Sequence, residues 1–211
     1  MDYIVFDTEF NQPQPKLFNP NIKFKPNRIS PFEIIEIGAV KVNEQLEIVD
    51  TFQSFIDPVI YKRLSPIVSR KTKITKKELK KGENFVKVMK SFRKWIGDEY
   101  ILCTWSNNDI REMKRNCKYH NLDYDWLESY YDIQLHCTKL LGLPKSHAIG
   151  LKNALQAFDI EEDTCFHRAI DDAIYTAKVF IKVFSKEMHH ELLKAIDQDI
   201  LESEYAKPPA T

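Results

Sequence analysis

Asp7 and Glu9 stand two residues apart at the end of "YIVFDTEF" (3–10), a stretch whose first four residues are apolar and β-prone. Strand side chains alternate, so both acids point to one face. Two ionised carboxylates side by side in a poorly solvated place repel each other and lose hydration. A positively charged group or a divalent metal ion would compensate them. Three further groups could join such a site. Asp109 lies in "TWSNNDIREM" (104–113), where a helix is expected to start. Taken alone, with Glu112 three residues later, a capping box is its favoured reading, although Ser106 or Asn107 could cap instead and release Asp109. In "FHRAIDDAIYTAKVFIKVF" (166–184), Ala169, Ala173, Ala177, Phe180 and Phe184 form a core-facing stripe. At about 100° per residue, Asp171 lies roughly 160° from the stripe's centre and Asp172 roughly 100°, at the border of the core. Geometry therefore favours Asp172 for a buried site, although an Asp pair in a first turn also suits the helix dipole without further role. His167 precedes Asp172 by five residues; a lone His before a helix is ordinarily a surface or capping residue, and the case rests on the combination.

These residues need elements to hold them. After the first strand, residues 11–31 contain five prolines (13, 15, 20, 26 and 31) and read as a long loop. "EIIEIGAVKV" (33–42) and "IVDTFQSFIDP" (48–58) read as an antiparallel hairpin turning at Asn43-Glu44-Gln45. From Tyr61 to Trp95 the texture is helical, with Phe85, Val88, Met89, Phe92 and Ile96 at steps of three and four. "YILCTW" (100–105) is a short buried strand, Ile110, Met113 and Cys117 mark a helix, and "YYDIQL" (130–135) reads as a last strand. Helices are expected over 150–160, 169–184 and 190–205, the last with an apolar side of Leu192, Leu193, Ile196 and Ile200 that packs on its own domain. This is an α/β order: a mixed sheet led by an antiparallel hairpin, flanked by helices, with the first strand central.

The bulk properties bound the class. The 211 residues suit one domain; 43% hydrophobic and 29% charged residues describe an ordinary globular chain. With 31 basic and 31 acidic residues, no global basicity advertises nucleic acid, though acids that hold metals would mask basic residues elsewhere. Cys103, Cys117, Cys137 and Cys165 form no C-x-x-C pair and read as reduced thiols. Neither a leader-like apolar start nor a run approaching the roughly 20 residues of a membrane span is seen, so a cytoplasmic protein is expected.

D-x-E in the first strand, Asp at a strand-to-helix junction, and H-x-x-x-x-D at a helix start, in that order, resemble the DEDD superfamily of 3′–5′ exonucleases in its branch with a catalytic His. The resemblance spans residues 2–184. "EIIEIGAVKV", "KTKIT" (71–75), "TWSNNDIREM" and "LKNALQAFDIEEDTCFHRAIDDA" are most similar to the enhanced-RNAi and KapD-like exonucleases. Proofreading relatives continue the first motif into a Thr-Gly turn, where this chain has Phe10-Asn11-Gln12. The resemblance implies an RNase H-like (DnaQ-like) fold, with an exonuclease domain over 1–185 and a C-terminal helix and tail, 186–211, packed on it. It implies Asp7, Glu9, Asp109 and Asp172 as metal-binding catalytic acids and His167 as general base. It further implies two Mg²⁺ or Mn²⁺ ions, which need hard oxygen ligands and clamp a phosphodiester when about 4 Å apart. Substrates would be single-stranded RNA or DNA 3′ ends, with a nucleotide monophosphate as product and RNA preferred. Two departures bear on substrate entry: Lys73 stands where relatives often have Gly, and Thr164-Cys165-Phe166 precede His167 where they tend to have one.

Residues 70–94 are rich in Lys and Arg, which reads either as a solvated helix face or as a phosphate-tracking rim. Phe10 and Trp105 flank the acidic motifs and could stack on or wedge terminal bases, although a core role is the plainer reading of Trp105. Thr72 and Ile74 match the family segment that borders the active site. "HCTKLLGLPKSH" (136–147) lacks the paired spacing of a zinc site, and the D-x-D of aspartyl phosphatases is not met by Glu9. The alternatives are a DNA 3′-end trimming or proofreading enzyme and, from another class, a catalytically silent binding module on the same fold.

Overall fold

The apolar run Tyr3 to Phe6 forms the inner part of strand β1 (Asp2–Asn11). The computed structural model describes residues 1–13, 26–163 and 166–185, and in it β1 is the middle strand of five. On one side β1 pairs antiparallel with β2 (Glu33–Val42), which pairs antiparallel with the edge strand β3 (Ile48–Phe55). On the other side it pairs parallel with β4 (Tyr100–Thr104), and β4 pairs parallel with β5 (Tyr130–Asp132). This is the hairpin-led mixed sheet that the sequence predicts, with its first strand central.

Alternation along β1 sends Tyr3 and Val5 to one face and Ile4 and Phe6 to the other. The first face packs Val40, Ile101 and Cys103 against helices α5 (Ile133–Leu140), α6 (Leu151–Ala157) and α7 (Ala169–Val183). The second packs Ile37, Ala39 and Leu102 against α3 (Phe85–Ile96) and α4 (Asn107–Tyr119). The sheet is thus covered on both sides, as its buried strands require. Asp7 and Glu9 continue the α7 side of the alternation beyond the point where the core ends.

Two expectations change. The helical texture from Tyr61 to Trp95 resolves into α1 (Pro66–Thr72), α2 (Lys76–Leu79) and α3. Ser65 caps α1 with Pro66 in its first turn, Lys73 ends it with a left-handed φ of 60°, and Thr75 with Glu78 forms a capping box that starts α2. The strand expected over 130–135 stops at Asp132, because its carboxylate accepts from the Leu135 N–H (2.8 Å) and so caps α5. The helix expected over 190–205 lies outside the described residues.

Two contacts fix what surrounds the acids. Asn11 and Glu33 face each other across β1 and β2 and together hold the segment leading into α1. Glu33 accepts from the N–H groups of Val59 (2.5 Å), Ile60 (2.8 Å) and Tyr61 (2.6 Å). The Asn11 amide donates to the carbonyls of Tyr61 (2.8 Å) and Arg63 (3.1 Å), and its oxygen accepts from the Ser65 N–H (3.0 Å). Gly38 pairs with Asp7, and the start of α7 crosses directly above it. A Cβ there would lie 2.1 Å from the Ile170 nitrogen, so only glycine lets α7 seat this close to Asp7.

Candidate active site

Asp7 and Glu9 emerge from β1 on the α7 side, half-buried. Asp172, in the first turn of α7, meets them there. Its carboxylate accepts from the His167 N–H at 3.3 and 3.2 Å, tying the loop before the helix to the helix itself. Donor atoms of Glu9, His167 and Asp172 all lie within 4.8 Å of one another. Asp109 arrives from the opposite layer. Its Oδ1 accepts from the Thr8 N–H (3.0 Å) and the Thr8 hydroxyl (2.6 Å), which brings it beside Asp7 at the end of β1. Ser106 caps α4 by accepting from the Asn108 N–H (3.3 Å), so Asp109 is released from capping, and Glu112 is held by Arg111 and Arg115 instead. All five motif residues therefore converge, from three separate elements and one loop.

The electrostatics describe a site short of positive charge. Burial, then the charges of Asp109, Asp172 and Glu9, hold the Asp7 carboxyl well above the usual carboxylate range. Burial pushes Glu9 up to about 7 although Lys71 draws it down. Asp109 is pushed up to about 6 by burial, against the Thr8 hydrogen bonds. Asp172 is also at about 6, where burial outweighs the His167 N–H and Lys71. Burial and then Lys71 lower the His167 imidazole, so it is neutral and able to accept a proton near pH 7. Hard carboxylate oxygens with raised affinity for a proton are a donor set suited to divalent cations. Asp7, Glu9, Asp109 and Asp172 are the residues that would hold them.

His167 adopts a left-handed φ of 74°, a conformation unusual for a residue with a Cβ. The structure anchors it on its C-terminal side. Arg168 Nε lies 3.2 Å from both oxygens of Glu36 and Nη2 lies 3.0 Å from Oε1. Glu36, fully buried on β2 opposite Glu9, also accepts from the Gln53 amide (2.8 Å) and the Ala169 N–H (3.3 Å). The Arg168 guanidinium lies over the Phe55 ring at 5.1 Å.

A cleft of about 480 Å³ opens beside these groups, lined by Asp7, Asp172 and His167 and by Lys71, Lys152, Trp105 and Phe166. The Phe166 ring stacks on Tyr175 at 4.9 Å and carries Lys152 above it at 5.7 Å. Trp105 lines the cleft, and its buried indole N–H has no hydrogen-bond partner among the described residues. Phe10 is half-buried against Phe32 (6.3 Å). Thr72 and Ile74 differ from expectation: both side chains are buried, and the Thr72 hydroxyl is occupied by the Val68 carbonyl and the Ile74 N–H. They shape the turn after α1 from within, and the exposed neighbour Lys71 lines the cleft in their place. His136, Cys137 and His147 form no metal-ligand group among the described residues.

Thr8, Glu36, Lys71 and Arg168 serve this site without belonging to the acidic motifs. Glu36 carried a usable cue, since a single acid in an otherwise apolar buried strand needs a partner as much as Asp7 does. Thr8 and Lys71 act through distances that no local pattern encodes.

Comparison with known proteins agrees with this fold. The model of the exonuclease family matches residues 4–180. The chain is 26% identical over 207 residues to the probable 3′–5′ exonuclease KapD of Bacillus subtilis, covering 98% of this chain and 89% of that one. It is 32% identical over 151 residues to the PolC-type DNA polymerase III of the same species, covering 71% of this chain but 10% of the polymerase. Among solved structures it resembles the nuclease domain of 3′hExo, a DEDDh family member bound to rAMP, with a TM-score of 0.72, 24% identity, and 86% and 90% of the two chains covered.

Proposed function

The chain belongs to the exonuclease family, and we propose that it is a metal-dependent 3′–5′ exonuclease that shortens single-stranded nucleic acid, RNA in preference to DNA. One observation carries the reading. Four carboxylates, each raised chiefly by burial, and a neutral imidazole converge at the end of β1 beside one cleft, from parts of the chain more than 100 residues apart. Such crowding costs stability unless cations offset it, and it is retained here in full. Bound Mg²⁺ or Mn²⁺ would polarise a phosphodiester and lower the pKa of a bound water.

The chain's own groups have separate tasks. His167 accepts the proton of the attacking water. Asp172 and the Glu36–Arg168 pair hold the backbone that presents the imidazole, and Thr8 orients Asp109. Lys71 and Lys152 offer charge to phosphate oxygens, and Trp105 and Phe166 offer apolar surface to a terminal base. Hydrolysis then yields a nucleoside monophosphate and a strand shorter by one. Likeness to the rAMP-bound nuclease supports RNA, and likeness to the polymerase segment supports DNA 3′-end trimming as the second reading. The free, buried Cys103, Cys117 and Cys137 fit a reducing, cytoplasmic setting.

The test follows 5′-labelled single-stranded RNA and DNA of one sequence on denaturing gels, with Mg²⁺ or Mn²⁺, for the wild type and Asp7→Asn. A ladder shortening from the 3′ end, absent with EDTA and in the variant, is expected, with RNA consumed faster. No shortening of either strand, with binding intact, would replace the enzyme by a silent binding module.

A further inference from the structure

The neutral composition conceals a segregated charge. Between residues 62 and 81 nine Lys and Arg stand against one acid, Glu78, leaving 22 basic against 30 acidic residues in the remainder of the chain. That stretch is α1, α2 and the segment leading into them, held to the sheet by Asn11 and Glu33. Glu78 is engaged by Thr75 in the capping box and does not neutralise its neighbours by pairing. Lys62, Lys71, Lys76 and Lys80 take part in no ion pair among the described residues. Elsewhere Lys41, Lys87, Lys114, Lys152 and Lys178 each pair with an acid, while Lys90, Lys94, Lys118, Lys139 and Lys182 form no ion pair among the described residues.

One of these unpaired cations lines the cleft and three line a groove of their own. Lys71 lines the cleft with Asp7 and Asp172. Lys62, Lys76 and Lys80 surround a separate groove of about 380 Å³ floored by Leu64 and Leu79, with Asp57 the one acid on its wall. Lys76 follows Lys71 by five residues, so their backbones are no more than about 18 Å apart. At about 3.4 Å per stacked nucleotide, that span is at most about five nucleotides. Lys73, between them, is exposed and holds its left-handed φ of 60° where glycine would be less strained.

We infer that α1 and α2 form a track for the phosphate backbone of a single strand whose 3′ end lies in the cleft, with Lys71 at the cleft end and Lys62, Lys76 and Lys80 at the far end. The inference rests on the nuclease reading above and extends it to where the uncleaved strand runs. Charge complementarity favours this occupant, because unpaired lysines on the wall of an acidic, metal-suited cleft and around the groove of the same α1–α2 segment match a polyanion that must enter that cleft. It also bears on length: a dinucleotide is held by the cleft alone, and a strand of about ten nucleotides is long enough to pass both the cleft and the separate groove.

The experiment measures binding of 5′-fluorescein single-stranded RNA of 12 nucleotides by anisotropy in EDTA, from 0.05 to 0.3 M NaCl. It compares the wild type, K62A/K76A/K80A, and the control K118A/K139A/K182A, which removes three exposed lysines elsewhere. Single strands lose about 0.7 in the slope of log affinity against log salt for each phosphate contact. The far-end variant is expected to bind at least about tenfold more weakly at 0.1 M salt, with a slope smaller by about 2, and the control to stay within about twofold of wild type. Hydrolysis of a dinucleotide, which the cleft alone holds, should be unchanged with Mn²⁺ in both. Affinity and slope equal to the control's would overturn the track. So would a loss confined to phosphatidylserine vesicles, which would make the segment a lipid-facing surface. A wild type that binds the 12-mer through these lysines yet shortens nothing would instead overturn the nuclease reading and leave the track standing.

Discussion

At the scale of residues, the site is organised around carboxylates that would each be more comfortable alone. A carboxyl whose value is raised by folding binds its proton more tightly folded than unfolded, where Asp and Glu titrate near 4. The associated stability is fully present below about pH 4 and is lost as pH rises through the folded values, about 6 for Asp109 and Asp172 and about 7 for Glu9. Metal-free protein is therefore expected to melt at a lower temperature at pH 7.5 than at pH 5, and Mn²⁺ should recover most of the difference at pH 7.5. Asp7→Asn removes the carboxylate at the centre of the repulsion, so it should raise the metal-free Tm by about 2–6 °C at pH 7.5 while abolishing activity. Calorimetry in EDTA reads both effects, and a variant less stable than wild type would refute the crowding. The same groups set an acid limb for catalysis. Activity should rise with pH through about 6–7 at limiting metal, and the limb should move to lower pH as the metal is raised, because cation and proton compete for the same oxygens. A limb indifferent to metal concentration would assign it to another group.

At the scale of elements, the critical act is seating the start of α7 against β2. Gly38 permits the approach, and the Glu36–Arg168 pair fastens it beside His167. Gly38→Ala forces backbone apart beside Asp7, so activity should fall at least about 100-fold with a clear loss of Tm; a near-neutral result would mean that α7 can shift without consequence. Arg168→Ala leaves a fully buried Glu36 without its cation, costing up to about 3–5 kcal/mol. Glu36→Gln with Arg168→Gln removes both charges and should recover most of that stability. If the pair positions His167, kcat stays depressed in the double variant with KM little changed; recovery of kcat along with Tm would show that the pair only stabilises. Legibility divides along the same line. The order of strands, the central place of β1 and the choice of Asp172 over Asp171 were readable because each follows from local periodicity. The release of Asp109 from its capping box was not, since it depends on Thr8, 101 residues away, and on Ser106 winning the cap. Thr72 and Ile74 lie on the segment the motif indicated, but Ile74 is buried among Ile35, Val68 and Leu79 and the Thr72 hydroxyl is taken by Val68 and Ile74, which no local pattern contains.

At the scale of the whole molecule, the two faces of the sheet have unequal duties. The α3 side is an aromatic buttress: Phe92 lies 6.0 Å from Phe6 and 5.2 Å from Phe52, and α3 contributes no residue to the cleft. The α7 side carries both core and chemistry, because Tyr175 stacks beneath Phe166, which lines the cleft next to His167. Removing a buried ring on either side should cost a similar amount, about 3–5 kcal/mol, so stability alone cannot tell the faces apart. Function can. Phe92→Ala should lower the urea midpoint and leave kcat/KM per folded molecule within about twofold of wild type, because the sheet transmits little of a void confined to its far side. Tyr175→Ala should lower the midpoint comparably and also reduce kcat/KM by about tenfold or more, since Phe166 loses its support and the wall beside His167 moves with it. Both are measured at a temperature where each variant is fully folded, with the folded fraction taken from the same urea curves. Equal catalytic losses in the two would mean that the sheet couples its faces. The acids would then depend on the packing of the entire sandwich, not on the α7 layer that supplies Asp172.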